Sequence, residues 1–419
     1  MRSTRGKRTA ALLASGVLLL TVCAPALAQD YLQFGPVGEG PSEYNRTYDR
    51  SFIREWQANP PKGYPTAAKA NIAPTKAAVA RYEVIVASGG FPLVPDVELE
   101  HGASDPAVAV LRRRLIRSGD LAADAGTSEH FGSDLDAAVK RFQASNGLAP
   151  TGVVDKRTLA ALNVPSQVRL AQLKTNLTRL SDLSNIVGKR YVLVNIPAAQ
   201  IEAVENNAVV QRHSGVVGKP DRPTPLLRST ITDLAFNPMW TLPPTVIKED
   251  LIPKGRDMQK AGGNVLLKFG IDAYEGGKKL DPESIDWSSS RPLSLSYRQA
   301  AGKDNPLGFL KINFANSSSV YMHDSPKESL FGRNFRAASS GCVRVQNIDE
   351  LATWLLTGQG TAEQVAHLKE SGQTKMVRLK KPVPLFFVYV TAWATADGVV
   401  QFRPDVYLKD GVGEVAAAY

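Results

Sequence analysis

The chain of 419 residues is 43% hydrophobic and 21% charged, ordinary values for a soluble protein long enough to hold two or three domains with real cores. Its formal charge is +10; the first 28 residues hold Arg2, Arg5, Lys7 and Arg8 and no acid, so the remainder keeps 10 − 4 = +6, a moderate excess that suits an anionic polymer, either a nucleic acid or a cell wall. Only two cysteines occur, Cys23 and Cys342, which excludes a disulfide framework and leaves a structural zinc site without its usual thiolates.

Residues 1–28 read as a secretory signal: a basic stretch from Arg2 to Arg8, an apolar run from Ala10 to Val22 too short to span a bilayer comfortably, and Ala26-Leu27-Ala28 as the cleavage site. A lipobox at Leu20-Thr21-Val22-Cys23 is the weaker alternative, since a small residue is wanted at Val22. No later run suffices for a membrane span, so the expectation is a soluble periplasmic protein whose only thiol is Cys342. Export and the lack of a nucleic-acid motif argue against a nucleic-acid partner. Residues 29–100 form an N-terminal scaffold segment, rich in Pro, Gly, Tyr and Asn to about residue 75; Ala77 to Ala87 is then helical, and Gly89 to Pro95 ends the helix.

Residues 101–165 form a separate unit of three short helices. Ser104 or Asp105 caps the first, with Pro106 at its first position and Val108, Leu111 and Leu115 on one face. The second starts at Asp134 and carries Leu135, Ala138, Val139 and Phe142 at helical spacing; Asp155 caps the third, with Leu159 and Leu162 inside. The strings Ala138 to Gln143, Asn146-Gly147-Leu148, Thr151 to Asp155 and Thr158 to Asn163 resemble the peptidoglycan-binding module of wall enzymes, which implies a wall ligand. Residues 166–187 form a connecting helix with Leu170, Leu173, Leu177 and Leu180 in one stripe.

From Lys189 the period changes to two. Strands are predicted at Tyr191 to Ile196, Ile201 to Val204 and Ala208 to Val210, and again from Leu310 to Phe314 up to Tyr321. The domain is placed at 188–380 and interrupted at about 237–303 by an irregular insertion, of the kind that is usually functional or a subdomain. Trp240, Trp287 and Tyr297 are candidates to line a substrate channel there or to form its core. Residues 381–419, with the apolar run before Trp393 and a hairpin turn at Asp397-Gly398, are expected to close the scaffold.

The chemistry concentrates in VYMHDSPKESLFGRNFRAASSGCVRV, residues 320–345. A thiol with a pKa near 8.5 is only about 3% thiolate at pH 7, so a nucleophilic Cys342 needs a base. Of the five histidines only His323 shares its strand–loop–strand unit. Arg344, two residues beyond Cys342, projects to the same face and suits a substrate carboxylate or an ion pair. No metal constellation occurs, and Gly262-Gly263 and Gly276-Gly277 lack the context of a phosphate loop, so neither metal nor cofactor is expected.

His323, then Ser339-Ser340-Gly341-Cys342-Val343-Arg344 with Cys342 nineteen residues after the His, resembles the signature of the L,D-transpeptidase family with its YkuD-type catalytic domain, and Val217-Gly218 through Thr224-Pro225 resembles an earlier part of it. Many members carry His where this chain has Ser340, which leaves His323 as the sole base candidate. The resemblance, closest to the larger YcbB-like members, implies an α+β fold: a β-rich catalytic domain with the insertion as a lid, a three-helix peptidoglycan-binding-like domain and a scaffold from flanking segments. It implies Cys342 as nucleophile, His323 as general base and acid oriented by a backbone carbonyl, the Gly341 backbone as oxyanion donor, and substrate contacts from Arg344, Ser340, Tyr321 and Trp240. Asp324 is a weaker third catalytic member. The implied donor is a stem tetrapeptide, cleaved before its terminal D-alanine, and the product a 3→3 cross-link, with other wall-synthesis enzymes as partners and carbapenems as inhibitors. Lipoprotein attachment, D-amino-acid exchange and hydrolysis share the same acyl-enzyme. A wall-binding protein with an inactive catalytic domain, or a different Cys–His carboxypeptidase or endopeptidase, stands as the alternative.

Overall fold

The structure, a computed structural model, describes residues 65–417; the proposed signal and most of the Pro/Gly-rich stretch lie outside them. Among the described residues no helix is long and apolar enough to cross a membrane.

The first helix, α1 (Ile72–Ala87), lies against α5 (Ser166–Ser184) and a hairpin near the C-terminus. Between them come α2 (Pro106–Ser118), α3 (Ser133–Ser145) and α4 (Lys156–Leu162). The caps follow local chemistry: Asp105 Oδ1 accepts from the Ala107 N–H at 2.7 Å, and Asp155 Oδ1 from the Thr158 N–H at 2.8 Å. Val108, Leu111, Leu115, Phe131, Leu135, Val139 and Phe142 fill a core of their own, so the three helices form one small unit.

A nine-stranded sheet makes up the second unit: β1 (Arg190–Asn195), β2 (Gln200–Glu205), β3 (Ala208–Gly218), β4 (Leu227–Phe236), and, after the insertion, β9 (Leu310–Phe314), β10 (Met322–His323), β11 (Ala337–Ser339), β12 (Val343–Val345) and β13 (Lys375–Val388). Its order is β11-β3-β12-β10-β9-β4-β13-β1-β2, and β2 also pairs with β3, which closes eight of the strands into a ring. Two helices, α8 (Ile348–Leu355) and α9 (Ala362–Ser371), follow β12; Leu351 and Val365 reach the sheet's core. The inserted strands and helices, β5 to β8 and α6 to α7, are described next.

Two sequence expectations need correction. Strand β13 crosses the expected boundary at 380/381 and is central to the sheet, parallel to β1 and antiparallel to β4. A register shift between Arg378 and Val383 absorbs the Lys380-Lys381-Pro382 stretch. Leu385 and Phe387 face one core, Phe386 and Val388 another, so the run is apolar throughout rather than alternating. The insertion, in turn, is not irregular. Strands β5 (Trp240–Thr241), β6 (Ile271–Glu275), β7 (Lys278–Lys279) and β8 (Ser296–Gln299) form a second sheet with α6 (Ile252–Lys260) and α7 (Val265–Phe269), around a core running from Trp240 to Leu307. Trp287 and Tyr297 stack within it, centroids 6.0 Å apart, and Gly255 of α6 sits so close to the Trp287 ring that a Cβ would approach it to 2.3 Å. They belong to the core of the insertion and do not line the cavity over Cys342. The last hairpin, β14 (Ala392–Ala394) with β15 (Val400–Phe402), joins α1 and α5 through Tyr82, Leu173 and Phe402.

Candidate functional site

Register brings the candidate residues together. Strands β10 and β12 run parallel with Met322 opposite Val343 and His323 opposite Arg344, and the Val343 N–H donates to the Tyr321 carbonyl at 3.0 Å. Met322 and Val343 enter the hydrophobic core. Strand alternation therefore turns Tyr321, His323, Cys342 and Arg344 to the opposite face. There they line one cavity of about 300 Å³, with Trp240, Pro243, Pro244 and Val246 of the insertion on its other side and Ser340 at its wall.

Cys342 is half-buried and free. Burial pushes its thiol pKa up; hydrogen bonds from the Tyr321 backbone and hydroxyl, and the nearby cations Lys311 and Arg344, pull the other way. The Tyr321 hydroxyl also accepts from Trp240 Nε1 at 3.0 Å, so an insertion residue is tied to the residue that touches the thiol. Tyr321 and His323 rings meet edge to face, centroids 5.6 Å apart.

His323 is 5% exposed. Burial first, then repulsion from Arg344 and Lys311, pulls its pKa down to about 3, while the backbone carbonyls of Asp324 and Pro306 act against this. Among the described residues its Nδ1 has no hydrogen-bond partner. The resting pair is therefore a neutral thiol and a neutral imidazole, the latter able to take a proton. Asp324 does not join it. Its carboxylate accepts from the Phe309 N–H at 3.0 Å and lies against Gly308, steadying the 305–309 loop whose Pro306 carbonyl faces His323.

The Gly341 expectation changes in detail. Its N–H donates to Ser339 Oγ at 3.2 Å, and that hydroxyl donates on to the Cys342 carbonyl, so this N–H is already engaged. Among the described residues the Cys342 N–H carries no such bond, which leaves it available to donate. What Gly341 supplies is its φ of +112°, a region that side-chain-bearing residues rarely enter. Ser340 Oγ contacts Arg222 Nη1 at 3.2 Å, and the same guanidinium is ion-paired with Asp250 of the insertion. Arg344 Nη1 donates to Ser325 Oγ at 3.4 Å, its Nε has no partner, and it forms no ion pair among the described residues. Of the two roles weighed for it, the free guanidinium edge favours a carboxylate clamp.

Lys311 was missed by sequence reasoning. It stands opposite His323 across β9–β10, with Nζ 4.3 Å from the Tyr321 ring centroid. Nothing in its neighbourhood along the chain marks it; only the pairing does. His213 is buried elsewhere, bonded to the Gln346 carbonyl, and takes no part. Among the described residues no group of His, Cys, Asp and Glu could hold a metal ion.

Residues 189–366 match the family model of the L,D-transpeptidase catalytic domain, YkuD, and the matched span includes every one of these site residues. By that match the span is similar to an L,D-transpeptidase catalytic domain. Residues 104–162, the three-helix unit, match a peptidoglycan binding domain. A curated Haemophilus influenzae protein with the provisional name of an L,D-transpeptidase is 36% identical over 222 residues, 52% of this chain and 44% of its own length, so the chain spans less than half of that relative. An L,D-transpeptidase from Mycobacterium smegmatis is 14% identical with a TM-score of 0.23, over 48% of this chain and 58% of that one. Another, from Stackebrandtia nassauensis, is 13% identical with a TM-score of 0.25, over 71% and 96%. Superpositions this slight add nothing to the assignment, which rests on the two domain matches.

Proposed function

We propose that the chain is an exported cysteine acyltransferase that forms 3→3 cross-links between peptidoglycan stem peptides. The observation that supports it most is the sharing of one cavity by Cys342, His323 and Arg344, all on the face of β10 and β12 away from the core, within the matched domain. The related Haemophilus protein's name points the same way.

The steps follow from the groups present. A donor stem lies in the cavity with a carboxylate on Arg344. The Cys342 sulfur bonds to the scissile carbonyl carbon as its proton passes to His323. Tyr321, Lys311 and Arg344 stabilise the sulfur as negative charge gathers on it. The carbonyl oxygen, now anionic, is met by the Cys342 N–H, a donor type worth roughly 10²–10³ in rate. Collapse breaks the C–N bond, and His323 returns its proton to the departing D-alanine amine, leaving a thioester. The amine of a second stem attacks that thioester, loses a proton to His323 and releases the thiol. The neutral resting imidazole suits this order, since it is ready to accept before it donates.

The test is intact-mass spectrometry of the mature protein and its Cys342→Ala variant with a disaccharide-tetrapeptide, and separately with a carbapenem. Adduct on the wild type alone, D-alanine release and a 3→3 dimer are expected. No adduct under any condition, while purified sacculi still bind the protein, would refute the enzyme reading and leave a wall-binding protein.

A further inference from the structure

A second cavity, of about 700 Å³, opens away from Cys342 and is lined by arginines from five elements: Arg81 of α1, Arg114 of α2, Arg141 of α3, Arg169 of α5 and Arg212 of β3, with Arg403 just after β15. Only two carboxylates, Asp120 and Asp397, face the same space. That volume is within the range of sites for drug-sized ligands, and more than twice that over Cys342.

Several of these arginines also hold the fold. Arg212 pairs with Glu202 at 3.0 Å, and Arg403 Nη1 donates to the Ser145 carbonyl at 2.9 Å while its guanidinium lies 5.0 Å from the Trp393 ring. Arg141 Nη2 donates to the Asp120 carbonyl at 3.0 Å, not to its carboxylate. Arg169 is held likewise, donating to Gln172 and Asn146, but packing accounts for neither Arg81 nor all of Arg114. Arg114 is 2% exposed, donates from Nε to the Leu162 carbonyl and stacks 3.6 Å over Phe91, yet its Nη1 has no acceptor. Buried donors are almost always satisfied, so an orphan on a cavity wall points to a ligand acceptor. Arg81 is exposed at the rim, and neither it, Arg114 nor Arg141 forms a salt bridge among the described residues. Burial pulls Arg114 down to about 10; Tyr82 and Asp120 oppose this and Arg169 adds to it, so Asp120 offsets only part of the positive field that an arriving anion meets. Between the cations the wall is aromatic, with Tyr82, Phe142, Trp393 and Phe402. Planar guanidiniums favour carboxylates held in pairs, and the aromatic surface favours the apolar parts of a chain. A phosphate cradle would instead call for a glycine-rich turn at a helix start, and none lines this space.

We propose that this cavity is a second binding site, for a short peptide with two or more carboxylates, in which Arg81, Arg114 and Arg141 take the carboxylates and Tyr82 and Trp393 the apolar atoms. Two of the contributing helices, α2 and α3, lie within the span matched to a peptidoglycan binding domain. Resting on the wall-enzyme reading above, the peptide is a stem of the wall polymer, and the site would hold one strand while Cys342 works on another.

The experiment is calorimetric titration of the mature protein with a soluble stem tetrapeptide after Cys342 has been blocked by a carbapenem, so that the catalytic cavity is filled. One peptide per chain should still bind, more weakly as salt rises. The exposed-residue variants Arg81→Glu and Arg141→Glu should each weaken binding at least tenfold while leaving the carbapenem acylation rate unchanged; Arg81→Glu should also leave the melting temperature unchanged, and Arg141→Glu, which loses its bond to the Asp120 carbonyl, should lower it only slightly. A peptide with its carboxylates amidated should not bind. Tri-glutamate separates the sources: weaker binding than the stem supports a wall ligand, and equal binding overturns that part. No binding to the blocked protein, or equal affinity in both variants, overturns the site. Should Cys342 never acylate, the transpeptidase reading fails on its own, and the same titration on Cys342→Ala still decides this cavity.

Discussion

Replacing Tyr321 by phenylalanine removes one oxygen from the centre of the site. That oxygen hydrogen-bonds the Cys342 thiol and accepts from Trp240 Nε1 at 3.0 Å. A hydrogen bond to a charged group contributes about 1.5–3 kcal/mol, and the Cys342 sulfur is charged only as it attacks. The thiol should therefore ionise about one to two pH units higher in Tyr321→Phe. Acylation by a carbapenem at pH 7 should slow by roughly tenfold to 150-fold. Trp240 loses one acceptor in a buried place, which should lower stability by about 1 kcal/mol. The assay is the rate of iodoacetamide alkylation of Cys342 between pH 6 and 11, followed by mass, with thermal melting as the control. If the alkylation midpoint and the acylation rate both stay at wild-type values, the Tyr321 hydroxyl does not stabilise the thiolate and the electrostatic account of the nucleophile is wrong.

In Gly341→Ala a Cβ would meet nothing closer than Val320 at 3.6 Å, so the cost is backbone strain at φ +112°, about 1–2 kcal/mol; a lowered melting point and an acylation rate reduced at least tenfold are expected, and an unchanged rate would show that Cys342 does not depend on that turn. Arg344→Lys keeps the charge but loses the forked edge, so KM for a tetrapeptide donor should rise about tenfold while iodoacetamide still alkylates Cys342; an unaltered KM removes Arg344 from substrate binding. Stability should fall in acid. His213 is buried and its pKa is pulled down from 6.5 to about 4 by burial. The unfolded chain takes up that proton below about pH 6.5 and the folded chain only near pH 4, so the stabilisation is complete above 6.5 and is lost as pH falls between the two. The loss is on the order of 3 kcal/mol. Denaturant melts of His213→Gln should show a shallower slope over that interval, and a slope equal to the wild type's would contradict the assignment.

Much was legible along the chain because it depends on near neighbours. Asp105-Pro106 and Asp155 start α2 and α4 by bonding N–H groups two or three residues on, and the apolar spacing of α3 sets the face that meets them. The step of two from Cys342 to Arg344 puts both on one face of a strand whatever it packs against. The site was less legible where it depends on partners. Asp324 is adjacent to His323 and so a natural third member, yet strand alternation turns its carboxylate to the Phe309 N–H. Ser339, which the sequence offers only as the start of the signature with no role attached, takes up the Gly341 N–H. Arg222 and Asp250 lie 28 residues apart and meet beside Ser340 only because the insertion folds back over the sheet.

By itself, then, the sequence determined the elements whose causes are local: the three short helices, two of them capped by Asp105 and Asp155, the period-two strands, and the candidacy of Cys342 as the only thiol beyond the proposed signal with His323 nineteen residues before it. The tertiary structure decided what stands across from what. Parallel pairing of β10 with β12 sets His323 beside Arg344, antiparallel pairing with β9 brings Lys311 to the same site, and closure of the sheet places β13 at its centre. Hydrogen-bond register between strands is set by the burial of whole faces, and that is a property of the packed sheet which no single segment carries.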